Sequence, residues 1–168
     1  MPWTPLISPT FMLALRPNLL RVLRRDMPAA FAYFGGVGEP FERYALCELV
    51  EEKARSRCLA LGVGTAITPR PDPHSVALEH SFTVLVAVTG SDPDGLTLEL
   101  DRRVAAADSV LRESKWADLF EGLGKSVEAG GKVFDIVGHA YSVQARRSNE
   151  WQYSHECEIA VRIRYLEK

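Results

Sequence analysis

Histidines at 74, 80, 139 and 155 and cysteines at 47, 58 and 157 are the side chains best suited to hold a metal or move a proton. His155 and Cys157 stand at the spacing that puts both on one face of a strand, and His80 lies in a second strand-like run. A nitrogen and sulfur zinc site built from His80, His155 and Cys157 is therefore one arrangement open to the chain, and it would make a small metal-dependent hydrolase. The same spacing is the ordinary alternation of a strand with one face in a core, and no fourth ligand accompanies it. Core or edge residues are the stronger reading.

Other constellations fail sooner. Glu121, Gly122, Leu123, Gly124, Lys125 and Ser126 resemble the end of a phosphate-binding loop, but that motif needs a glycine where Leu119 stands, and a plain turn is expected. The histidines offer a serine or cysteine nucleophile no recognised local signature: GxSxG, HExxH and glycine-rich fingerprints are all missing from the sequence. The expectation is a protein with no catalytic residues, no bound metal and no cofactor.

Arg146, Arg147, Arg162 and Arg164 flank Trp151 and Tyr153, the ingredients of a basic aromatic strip for nucleic acid. Glu150, Glu156 and Glu158 interleave with them, and the whole chain has a formal net charge of -2, so no field favours nucleic acid or an anionic membrane. Mixed charge with aromatics fits a protein interface instead. Arg146, Arg147, Trp151 and Tyr153, together with Arg70 and Asp72 in a Pro/Gly-rich stretch, are the candidate interface residues.

These residues need elements to carry them. At 168 residues, with 46% hydrophobic and 25% charged, the chain fits one domain with a packed core. No run approaches the ~20 apolar residues that cross a bilayer, the N-terminus lacks the early charge and cleavage site of a secretory signal, and the odd number of cysteines suits a reducing compartment, so synthesis in the cytosol is expected. Residues 1–16 form an N-terminal extension. Pro17 to Asp26 predicts a short amphipathic helix with Pro28 as its stop; Arg16, Arg21, Arg24 and Arg25 read as its solvated side. Phe31, Tyr33 and Phe34 lead into the turn-forming run Gly35 to Pro40, a loop between helix and sheet.

Tyr44 to Glu51 predicts a strand, and 61–75, with glycines and prolines, a long mobile loop or loose hairpin. Val76 to Thr89 is the clearest strand: Val76, Leu78, His80, Phe82, Val84, Val86 and Val88 share one face. The acidic turn at 91–95 opens a helix to about Ser114, with Leu96, Leu100, Val104, Ala107 and Leu111 inward and Arg102, Arg103, Asp108 and Arg112 outward. Trp116 to Leu123 suggests one more helical turn. Val133 to Arg147 and Trp151 to Tyr165 predict a β-hairpin. The summed order α-β-β-α-β-β gives an α+β fold, a mainly antiparallel sheet with helices on one face.

A short N-terminal helix, a strand ending in acidic residues, a Pro/Gly-rich loop, a strand of the form HSFTVLVAV, an alanine-rich helix and a final pair of strands ending VRIRY follow one another across residues 17–166. This order resembles the tail terminator (tail completion) and related neck proteins of long-tailed bacteriophages. The resemblance implies a structural, non-enzymatic protein: a ring, in that family a hexamer, that caps the tail tube, contacts the tube protein and the head-tail connector, and resides in host cytoplasm during assembly and then in the virion. A ligand-binding or regulatory α+β module is the alternative.

Overall fold

A computed structural model describes residues 10–46, 57–62, 65–72, 75–122, 127–145 and 151–167. The elements run α1 (Thr10–Tyr33), β1 (Arg43–Ala45), β2 (Cys58–Leu61), β3 (Thr65–Asp72), β4 (Ser75–Gly90), α2 (Pro93–Glu113), α3 (Trp116–Leu119), β5 (Val127–Ala145) and β6 (Trp151–Glu167). The expected α+β class is what the chain adopts, with β1, β2 and β3 in place of the single strand expected before β4.

The first helix is far longer than the sequence suggests, and both Pro17 and Pro28 lie inside it. An interior proline costs a helix about 3 kcal/mol. Leu15, Leu19, Val22, Leu23, Met27 and Phe31 nevertheless recur at helical spacing on one buried stripe. Burying each such side chain contributes about 1.5–3 kcal/mol, so the stripe outweighs the breakers and carries the helix on to Tyr33.

The sheet follows the order β1-β2-β4-β6-β5, with β3 pairing β4 off that path. Every described pairing is antiparallel except β1 with β2, which is parallel. Of the strand expected over Tyr44 to Glu51, only Arg43–Ala45 is strand among the described residues, and 47–51 lie outside them. β2 and β3 both pair with β4, and between them Gly62 donates its N–H to the Thr83 carbonyl at 2.7 Å. A Cβ at Gly62 would collide with Thr83 Oγ1, so the crossing point requires a residue with no side chain.

The stretch 61–75, expected as a long mobile loop or loose hairpin, holds β3 paired along the first half of β4. Its prolines, Pro69 and Pro71, are tolerated because among the described residues β3 has a partner on one side only, and a register shift between Ile67 and Arg70 absorbs the misfit. The predicted alternation on β4 holds: His80, Phe82, Val84, Val86 and Val88 are buried on the face that also takes Cys157, Ile159, Val161, Ile163 and Tyr165 of β6. Helices α1 and α2 cover that face. Cys58, Ala60 and Leu85 form a second, small cluster on the opposite one.

In α2, Pro93 occupies the first turn after Asp92, Asp94 lies at the positive end and Arg112 at the negative end, as the dipole favours. Its apolar stripe is the expected one. Arg103, expected to face water, is only 2% exposed. Its Nε donates to the Pro40 carbonyl at 2.7 Å and its Nη1 to Glu99 Oε2 at 3.0 Å.

Candidate functional site

The strand register decides the metal question. His155 pairs with Val88, Cys157 with Val86 and His80 with Ile163. His80 is thus six positions along β4 from the partner of Cys157, roughly 20 Å at about 3.3 Å per residue. All three side chains are buried on the helix-covered face, yet they cannot meet at one ion. Burial, with Asp101 and Glu158 adding to it, pushes the Cys157 thiol up to about 11, which disfavours a free nucleophilic thiolate at neutral pH. Burial lowers His155, whose Nδ1 lies 3.4 Å from Thr97 Oγ1. Burial and the Arg16 charge lower His80, whose ring packs edge-on to Phe82. These are neutral core histidines.

The candidate interface residues separate into two groups. Asp72 sits opposite Ser75 where β3 turns into β4, and Arg70 opposite Ala77. Trp151 sits opposite Ala145 at the far end of the β5–β6 hairpin, and Tyr153 lies between Gly90 and Val143. Arg146 and Arg147 fall outside the described residues. Because Val76 pairs with Glu167 and Gly90 with Tyr153, the two groups occupy opposite ends of the sheet, roughly 50 Å apart along β6. Tyr153 departs from expectation in being half-buried against the main core.

Arg21, Arg24 and Arg25 of α1 are exposed, as expected of its solvated side, and the arginines of this helix reach neighbouring elements across the surface. Arg16 donates to the carbonyls of Leu46 and Leu61, and Arg24 lies over the Tyr44 ring at 5.5 Å. Arg21 pairs with Glu121 and donates to the Asp118 carbonyl, while Arg25 holds Asp26 and Asp118. The Arg25 contact lowers the Asp118 carboxyl below its usual range. Beside them Asn18 donates to the Leu119 and Glu121 carbonyls at 2.8 and 3.0 Å. The arginines clamp α1 to α3 and β2. On β6, Arg164 pairs with Glu79 at 2.5 Å and Arg162 approaches Asp135 at 3.8 Å, so this strip is likewise charge-balanced.

What the sequence does not single out is exposed apolar surface. Where α1 hands over to β1, Tyr33 is 85% and Val37 93% exposed, with Phe34 packed edge-on to Tyr33. Gly35 and Gly38 shape this loop with φ near +80° and +78°, a backbone conformation glycine adopts without strain. Tyr33 and Phe34 also line a groove of about 820 Å³ between α1 and α2, with Arg25, Val110 and Lys115. At the other edge of the sheet β5 exposes Val133, Ile136 and Val137. In sequence these residues carry the same signal as buried ones.

No family model matches the chain, and no curated protein matches it. Among solved structures the chain is similar to one from a virion of a native gene transfer agent particle, at 14% identity and a TM-score of 0.45, over 94% of this chain and 99% of that one. A likeness that loose carries no functional weight.

Proposed function

We propose that this chain is a structural virion-assembly protein of the tail-terminator kind, one domain that works by shape and subunit contacts. In this reading copies form a ring, as a hexamer in the family it resembles, that caps the tail tube and joins it to the head connector. The observation that carries the reading is the length of the sheet. Strands β4, β6 and β5, of 16, 17 and 19 residues, run continuously between two hairpin ends. A subunit inserted between two different neighbours, tube below and connector above, needs separate contact surfaces at its two ends, and Arg70 with Asp72 at one end and Trp151 at the other supply candidates.

The remaining parts of the reading follow from it: no catalytic residues, no cofactor, assembly in host cytoplasm and residence in the virion. Among the described residues no helix is long and apolar enough to cross a membrane. The groove between α1 and α2 favours the alternative, a ligand-binding module. Electron microscopy of the purified protein, alone and with tail-tube subunits, separates the two. Rings that seat on tube ends support the terminator reading; a protein that stays monomeric or dimeric at every concentration and ignores tubes overturns it.

A further inference from the structure

The charges around the groove between α1 and α2 are largely met within it. Arg25 holds Asp26 at 2.7 Å and Asp118 at 3.0 Å, and Glu113 accepts a hydrogen bond from Ser109. Lys115 stands beside this set and, after Arg25, helps to lower the Asp118 carboxyl. Two cations and three carboxylates, with Arg25 in two ion pairs, leave the wall without a strong field of either sign. What the groove offers instead is an aromatic pair: Tyr33 is 85% exposed and packs edge-on to Phe34, with ring centres 5.2 Å apart. An exposed aromatic pair beside a groove of about 820 Å³ marks a place where another surface belongs.

The sequence supplies a segment of matching chemistry. Residues 1–9, which lie outside those the structure describes, read MPWTPLISP: three prolines, Trp3, Leu6 and Ile7, and no charged side chain. Pro2 and Pro5 stand three positions apart, which is the period of a polyproline II helix, so that conformation puts both rings on one side. Segments of this kind dock in aromatic-lined grooves at low ordering cost, because proline already fixes its own backbone. A chain cannot reach its own groove this way. Tyr33 closes α1, whose 24 residues span roughly 36 Å from Thr10. Fully extended, the chain from Pro2 to Thr10 reaches at most roughly 29 Å.

We propose that the segment from Pro2 to Pro5 of one copy docks in the groove between α1 and α2 of a second copy, with its proline rings against Tyr33 and Phe34. The link joins two different surfaces, so it runs head to tail from copy to copy. An uncharged segment suits a wall whose carboxylates and cations already face one another, since it strips no charge of its partner. The groove is thereby assigned to a peptide of this chain and not to a metabolite. The proposal goes beyond the assembly reading above and stands apart from it, because rings that form through other surfaces need no such link.

The test uses the full chain carrying Pro2→Ala with Pro5→Ala, whose own segments no longer compete for the groove. A fluorescein-labelled peptide of residues 1–9 is titrated into it and followed by anisotropy. Saturable binding is expected, and adding Tyr33→Ser to the same chain should weaken it at least roughly tenfold, the effect of losing one central contact side chain. Tyr33 is largely exposed, so its replacement leaves the fold in place, which an unchanged melting temperature verifies. The peptide with both prolines replaced by alanine should also bind at least roughly tenfold more weakly. By light scattering, the natural chain is expected to associate at lower concentration than the chain with alanine at both positions. Absence of saturable binding, equal affinity for the Tyr33→Ser chain or equal affinity of the alanine peptide overturns the proposal. So does association of the natural and substituted chains at the same concentration, and each of these results leaves open to its own test whether rings seat on tube ends.

Discussion

The guanidinium of Arg103 lies 4.6 Å from the centre of the Phe31 ring, joining the middle of α2 to the last turns of α1. The same group holds the Pro40 carbonyl and Glu99, so one buried cation ties both helices to the chain that enters β1. Replacing Arg103 with alanine removes the stacking, the hydrogen bonds and a large buried side chain. A loss of about 2–5 kcal/mol is expected, by analogy with other large-to-small core changes. Lysine keeps the charge but not the planar fork, and leaving one buried acceptor unmet costs about 1–3 kcal/mol. Urea melts of R103A and R103K check the order; equal midpoints for R103A and the natural protein would refute the tie.

Acid should loosen the fold through its core histidines. His80, lowered by burial and by Arg16, and His155, lowered by burial, take up a proton more readily when unfolded than when folded. Above the ordinary histidine value of 6.5 both states are neutral and neither residue contributes; below it the unfolded chain protonates first and stability falls. The melting temperature is expected to be flat from pH 8 to 7 and to decline from about 6.5 toward 5. A variant with glutamine at both positions should show a shallower decline, and an unchanged slope would place its origin elsewhere.

Gly62 marks the point where the chain passes from β2 to β3. Gly62→Ala forces a methyl group against Thr83 Oγ1, and overpacking of this kind costs about 1–3 kcal/mol. Thr83→Ala in the same chain makes room and should recover most of the loss. Additive destabilisation in the double variant would show that the two side chains do not compete for space.

Asn18 ties α1 to the end of α3 through two carbonyls. Asn18→Ala is expected to cost about 1–2 kcal/mol in denaturant melts and to speed amide exchange in residues 116–120 before the sheet is affected. Uniform acceleration across β4 and β6 would mean that α3 has no separate opening.

The long antiparallel strands were legible because alternation along Val76 to Thr89 and Trp151 to Tyr165 is a local pattern that tertiary structure kept. The end of α1 was not, since Pro28 signals a stop and only the burial of Met27 and Phe31 against other elements overrides it. β3 was hidden behind Pro69 and Pro71, whose missing donors matter only if a partner lies on that side. Arg103 sits one position before Val104 on α2 and looks like surface until the Pro40 carbonyl is seen beneath it. For the interface candidates the sequence located charged and aromatic residues but not the register that sends them to opposite ends. It was equally silent on Tyr33 and Val37, because exposure of an apolar residue depends on what the rest of the chain leaves uncovered.

The register of β5 against β6 shifts twice, between Ala129 and Gly131 and between Ile136 and Gly138. Each such irregularity adds local coil to the ribbon, so a straight strand laid alongside would fall out of step within a few residues. The chain can therefore keep a long, proline-free border available for one shaped neighbour without offering a template on which fibrils would propagate.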